Sequence, residues 1–136
     1  MFSHVFVGVS DFERALLFYQ PLMECLGHPQ RFCERSRPWA GWQTSAEQAR
    51  PLFLIGSPYN QQDHAVGNGQ MVAFMVNTRA AVDEVYALAL SLGGTCEGAP
   101  GLRPEYHAQY YGAYFRDPDG NKIGVVCHEE RYFPNS

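Results

Sequence analysis

Ala113–Cys127 reads AYFRDPDGNKIGVVC, two short apolar runs on either side of a turn. In that turn, Asp117-Pro118-Asp119-Gly120, the proline presets φ for the second position and Asp117 can accept backbone N–H groups as an Asx cap. Gly120 supplies the positive φ at the exit. Val, Ile, Tyr and Phe on both sides favour a pleated, half-buried backbone, so the stretch predicts a β-hairpin. The rest of the chain can be placed by asking what precedes this hairpin and whether the pattern occurs twice.

It does occur twice. Ser3–Val9 alternates, with Val5, Val7 and Val9 on one face and His4, Phe6 and Gly8 on the other. Asp11 then caps a helix whose stripe is Phe12, Ala15, Leu16, Tyr19, Met23 and Leu26, stopped by Gly27. Pro21 should kink that helix or begin a new turn. Met71–Val76 is again a strand, Thr78 again a cap, and Val82, Val85, Tyr86, Ala89 and Leu92 again a stripe, ended by Gly93-Gly94. Sliding the chain by 67 positions lays His4–Gly27 on Met71–Gly94. A slide of 70 lays Pro51–Ile55 on Asn121–Val125, which makes these the last strands of two repeated units.

Between those anchors, Arg31–Glu34 and Trp39–Thr44 read as strands of the first unit, and Gly94–Glu97 opens the last part of the second, followed by an irregular Gly98–Tyr106. Tyr59–Gly69, polar and rich in glycine, reads as a linker. The boundaries are a first module over about 1–58, the linker over about 59–69, a second module over about 70–128, and a short tail. At 136 residues these make one domain, since each half alone would leave a sheet face uncovered.

Composition narrows the class of partner. A formal net charge of −4 without a basic run argues against nucleic acid or an anionic membrane surface. No apolar run is long enough to span a bilayer, and the N-terminus enters a strand pattern without a signal-peptide layout. Cys25, Cys33, Cys96 and Cys127 form no C-x-x-C pair, and reduced thiols in a cytoplasmic protein are the simplest account.

A duplicated βαβββ unit that opens with His4, Val9 and Asp11, carries Phe18-Tyr19 in its helix, and closes with Asp117-Pro118-Asp119-Gly120-Asn121-Lys122-Ile123 resembles the glyoxalase/bleomycin-resistance/dioxygenase family. Gly101–Tyr111 (GLRPEYHAQYY) is similar to one glyoxalase-like branch. The resemblance implies an α+β fold in which two βαβββ modules pair into a curved eight-stranded sheet around a cavity. It also implies a homodimer as the form in which such cavities are completed or sheltered. In metal-using members four side chains hold a divalent ion, and by position those slots fall on His4, Leu54, Met71 and Gly124. The usual occupants are His and Glu, and only His4 is retained. Leucine and glycine offer no donor and a thioether is a poor ligand for a hard ion, so no cofactor is expected and a divalent metal is weakly supported.

Candidate site residues follow from the same reading. His107 and Tyr110 are the candidate catalytic pair, in a loop broken by Pro100 and Pro104. His4, Tyr106, Tyr111, Arg103, Trp42 and Met71 are the candidate substrate contacts. Each has an ordinary alternative: His4 as an inherited core histidine, the tyrosines as a ring-stacked loop, the tryptophans as packing. Trp39 and Trp42, at i and i+3, cannot share one face of a regular strand. Arg35 and Arg37 could meet an anionic substrate or simply edge the solvent. His28, His64 and His128 read as surface residues. The function expected is binding of a small organic molecule without a tightly held metal. A metal-dependent lactoylglutathione-lyase-like lyase or extradiol-type dioxygenase, or a non-catalytic structural or regulatory dimer, are the alternatives.

Overall fold

The computed structural model describes residues 1–129. The short tail expected after residue 128 lies, beyond Glu129, outside the described residues. The chain divides into two compact units, Met1–Gly67 and a second that begins at Asn68. Each is a four-stranded sheet with one helix, so the class is α+β as the sequence predicts.

In the first unit the order is β1 (His4–Gly8), α1 (Phe12–Leu26), β2 (Gln30–Glu34), β3 (Trp39–Trp42) and β4 (Leu52–Gly56). The strands lie in the order β1-β4-β3-β2, with β1 parallel to β4 and the other pairs antiparallel. Asp11 caps α1 by accepting the Arg14 N–H at 3.1 Å, and Gly27 ends it in the left-handed region at φ 81°. The helix continues through Pro21 without starting anew. The proline deprives the Leu17 carbonyl of its i+4 donor, but Leu17 is 72% exposed, so water can supply the missing bond.

The second unit repeats the order as β5 (Val72–Val76), α2 (Arg79–Ser91), β6 (Thr95–Leu102), β7 (Tyr111–Arg116) and β8 (Lys122–Cys127), arranged β5-β8-β7-β6. The registers match residue for residue. Val5 faces Phe53 and Phe6 faces Leu54, while their counterparts 67 and 70 positions on, Val72 with Ile123 and Ala73 with Gly124, are also partners. Even the bulge recurs, between Gln30 and Phe32 in β2 and between Cys96 and Gly98 in β6. One pleat and one irregularity, written twice, are stronger testimony to duplication than helical stripes.

One segment departs from the expectation. Gly98–Leu102, read as irregular, belongs to β6. Two register shifts absorb its glycines, and β6 is an edge strand, so Pro100 owes no ladder hydrogen bond on its open side.

In each unit one sheet face is dry. Val7, Val9, Ala40, Trp42, Phe53 and Ile55 are buried with Phe18, Tyr19, Leu22 and Met23 of α1, and the Tyr19 and Phe53 rings meet at 5.4 Å. Ala113, Phe115, Ile123, Val125 and Cys127 are buried with Val82, Val85 and Ala89 of α2. The opposite faces carry His4, Phe6 and Gly8 in β1 and Ala73 and Met75 in β5, with Phe6 and Met75 exposed. These open faces are where a site can be built.

Candidate functional site

The open face of the first unit is hollowed into a cleft of about 860 Å³. Its floor is Phe6 and Leu54, and the β1 side contributes His4, whose Nδ1 lies 2.9 Å from Ser3 Oγ. Strand parity decides which tryptophan takes part. Trp39 pairs with Gly56 on the open face, while Trp42 pairs with Phe53 on the helix-packed face and is 2% exposed. Trp42, a candidate substrate contact by sequence, therefore does not share a face with His4; Trp39 does. Trp39 is pinned by Phe32, ring to ring at 4.6 Å, and Arg37 lies over it at 3.8 Å from the ring centroid. Its Nε1–H is buried without an acceptor among the described residues. Arg35, by contrast, is committed to Glu13 at 2.8 Å.

The segment read as a linker supplies the far wall. Tyr59, Gln61 and His64 line the cleft, and a Cβ on Gly8 would lie 2.5 Å from His64 Nδ1. Glycine at this position is what admits the imidazole. His64 was not among the candidate contacts, and no local pattern could have placed it there, because its position is set by how the segment folds back on β1.

On the open face of the second unit, Tyr106, His107 and Tyr110 do come together. Tyr106 and Tyr110 are 4.8 Å apart by ring centroid, and His107 meets Tyr110 edge-on at 5.7 Å. Tyr111 is not with them. The strand alternates, so Tyr111 points to α2, where its Oη donates to Asp83 at 2.7 Å and Arg79 lies 5.5 Å from its ring. Tyr114 and His128 take its place in the group. Tyr114 shares a 2.7 Å hydrogen bond with Tyr110, and His128 Nδ1 is 2.8 Å from His107 Nε2. His107 Nδ1 accepts the Gln109 N–H at 3.1 Å, which assigns the proton of the neutral ring to Nε2, donated to His128. Both nitrogens of His107 are thus engaged within the unit. Arg103 donates to the Ala99 carbonyl at 2.8 Å and lies 5.6 Å from the Tyr114 ring.

The Tyr114 phenol is held well above its ordinary value of 10.0, first by burial and next by the Tyr110 hydrogen bond. Since the folded state holds this proton more tightly than the unfolded one, its contribution is whole below pH 10 and is lost as pH rises through the folded value. Urea unfolding at pH 8 and pH 11 should show a loss of stability at the higher pH that is smaller in Tyr114→Phe.

The four positions implied as metal ligands can now be tested against side chains. Leu54 lies over Gly41: a Cβ on Gly41 would be 2.5 Å from its Cδ2. At the equivalent ladder pair of the second unit the sizes are exchanged, and the Tyr114 ring lies over Gly124, 3.2 Å from where a Cβ would be. Met71 stands just outside β5 and is 44% exposed. Among the described residues no three His, Cys, Asp or Glu side chains are placed to hold a metal ion. The donor set does not fit a divalent ion: one slot is an aliphatic side chain, one is a glycine roofed by a phenol ring, and one is a thioether.

Comparisons with known proteins agree with this architecture. The profile of the Glyoxalase/Bleomycin resistance protein/Dioxygenase superfamily matches residues 1–125. A glyoxalase/bleomycin resistance protein from Albidiferax ferrireducens is 37% identical, with a TM-score of 0.82 over 93% of this chain and 98% of that one. A glyoxalase/bleomycin resistance protein/dioxygenase family enzyme from Burkholderia phytofirmans is 22% identical (TM-score 0.69, 93% and 98% covered). A lactoylglutathione lyase from Agrobacterium tumefaciens is 18% identical (TM-score 0.63, 93% and 92% covered). These last two speak for the fold alone. Comparison with curated proteins found no match.

Proposed function

Starting from the fact that this chain belongs to the glyoxalase/bleomycin resistance protein/dioxygenase superfamily, we propose that it binds a small organic molecule in the cleft beside His4 and does so without a tightly held metal. The observation that carries this reading is the exchanged pair of covers, Leu54 over Gly41 and Tyr114 over Gly124. Both remove a donor where metal-using relatives are expected to present one, and both do so with packed side chains. A cleft of about 860 Å³ lies within the range that small organic ligands occupy. Its apolar floor with a few polar groups at the rim suits orientation of such a ligand.

Binding is favoured over catalysis because the candidate catalytic pair is already engaged. His107 spends both ring nitrogens on Gln109 and His128, and the Tyr110 hydroxyl is shared with Tyr114. The test is the metal content of protein purified without chelators, measured together with ligand binding by the same sample. Metal well below one equivalent with intact binding is the expected result. Stoichiometric zinc, iron, nickel or manganese, with binding lost on its removal, would overturn the reading and restore the lyase or dioxygenase alternative.

A further inference from the structure

The chain carries a formal net charge of −4, yet among the described residues none that lines the cleft beside His4 is an Asp or a Glu. The nitrogen-bearing side chains that line it are Arg37, His4, His64 and Trp39, with Gln61 at the rim. An acidic protein that keeps carboxylates out of one hollow and places a guanidinium there has made a local exception to its own charge.

Arg37 is the centre of that exception. Among the described residues it has no carboxylate partner; its guanidinium is held by the face of Trp39, 3.8 Å below. A cation–π contact fixes the plane of the guanidinium while leaving the N–H fork unspent. That fork matches the two oxygens of a carboxylate. Beside it, the Trp39 Nε1–H is buried with no acceptor among the described residues.

The apolar part of the cleft sets the rest of the ligand. Trp39 is in ring contact with Phe32, Phe6 is 44% exposed, and Leu54 forms the floor. The exposed Phe6 ring favours a planar partner that can stack on it, and Tyr59, 92% exposed, stands at the rim. We infer that the ligand class of this cleft is an aromatic carboxylate, its ring against Phe6 and Leu54 and its carboxylate on the Arg37 guanidinium that Trp39 holds in place. The inference rests on the cleft reading above and adds the charge and shape of what the cleft takes.

A matched pair of probes separates the two claims. In the intact protein, 2-naphthoate should bind about tenfold more tightly than its neutral isostere 2-naphthamide, followed by isothermal titration. Arg37→Gln should reduce that preference to about twofold or less by weakening 2-naphthoate alone. Leu54→Trp should abolish binding of both by filling the floor. Equal affinity for the two probes in the unaltered protein would overturn the aromatic-acid inference and leave the cleft reading in place. A preference for 2-naphthoate that survives Arg37→Gln would also overturn it, since the anion would then be held elsewhere. Binding of neither probe would overturn the aromatic-acid inference, and binding of both that is indifferent to Leu54→Trp would overturn the cleft reading itself.

Discussion

Trp42→Ala is expected to lower the unfolding free energy by about 4 kcal/mol, and Trp39→Ala by markedly less. The two residues are three positions apart in one strand, with the same chemistry. Trp42 is 2% exposed, its ring 6.3 Å from that of Phe53, which in turn meets Tyr19 of α1. Removing it leaves a cavity in the dry layer that neighbours in regular structure cannot refill. Trp39 faces the cleft, so its loss exposes Phe32 and frees Arg37 but opens no enclosed void. The two variants should therefore dissociate. Urea unfolding registers the first, while titration with 2-naphthoate registers the second as weakened binding by a protein that remains folded. Equal stability loss in both would mean that the face assignment of β3 is wrong.

Asp117→Ala is expected to cost about 3 kcal/mol, although it is a polar residue in a turn. Asp117 is 3% exposed. Its Oδ1 accepts the Asp119 and Asn121 backbone N–H groups, both at 2.9 Å, and its Oδ2 accepts the Asn121 side-chain amide at 2.9 Å. The main chain closes the same loop, with the Asp117 N–H donating to the Asn121 carbonyl and the Gly120 N–H to the Asp117 carbonyl. Alanine would strand three donors at once, in a place that water reaches poorly. Asp117→Asn keeps an acceptor and should fall between the two in urea unfolding. A loss below about 1 kcal/mol for Asp117→Ala would show that the turn holds its shape without the carboxylate.

Much of the architecture was legible because its signals are local. A cap such as Asp11 or Thr78 is a side chain reaching three residues along its own backbone, and the turn at Asp117–Gly120 closes on itself in the same way. Duplication made those local signals count twice, and the paired strands then followed with their registers. The reading failed where a neighbour in space set the outcome. Gly98–Leu102 looks like a loop by its glycines and Pro100, but an edge position beside β7 tolerates them. Pro21 looks like a place where a new turn could begin, but one lost bond on an exposed side does not end a helix held by buried Phe18, Tyr19, Leu22 and Met23.

The candidate site divides along the same line. Tyr106, His107 and Tyr110 were found as a group because they are close in sequence. Tyr111, one residue further, goes to α2, since a strand turns successive side chains to opposite faces. That alternation was available in the sequence and, followed into the hairpin, would have selected Tyr114 as well. His64 and His128 offered no such handle.

The sequence by itself determined the repeated βαβββ plan, the caps and the closing hairpin. Each of these is written in residue type and spacing along the chain. Only the tertiary structure decided what packs at the positions implied as ligands, Leu54 reaching over Gly41 and Tyr114 over Gly124, and it alone set His64 against Gly8. A missing donor is a property of one residue. What replaces it depends on which strand lies beside it and on whether that neighbour is bulky or glycine, a relation that register creates and chain order conceals.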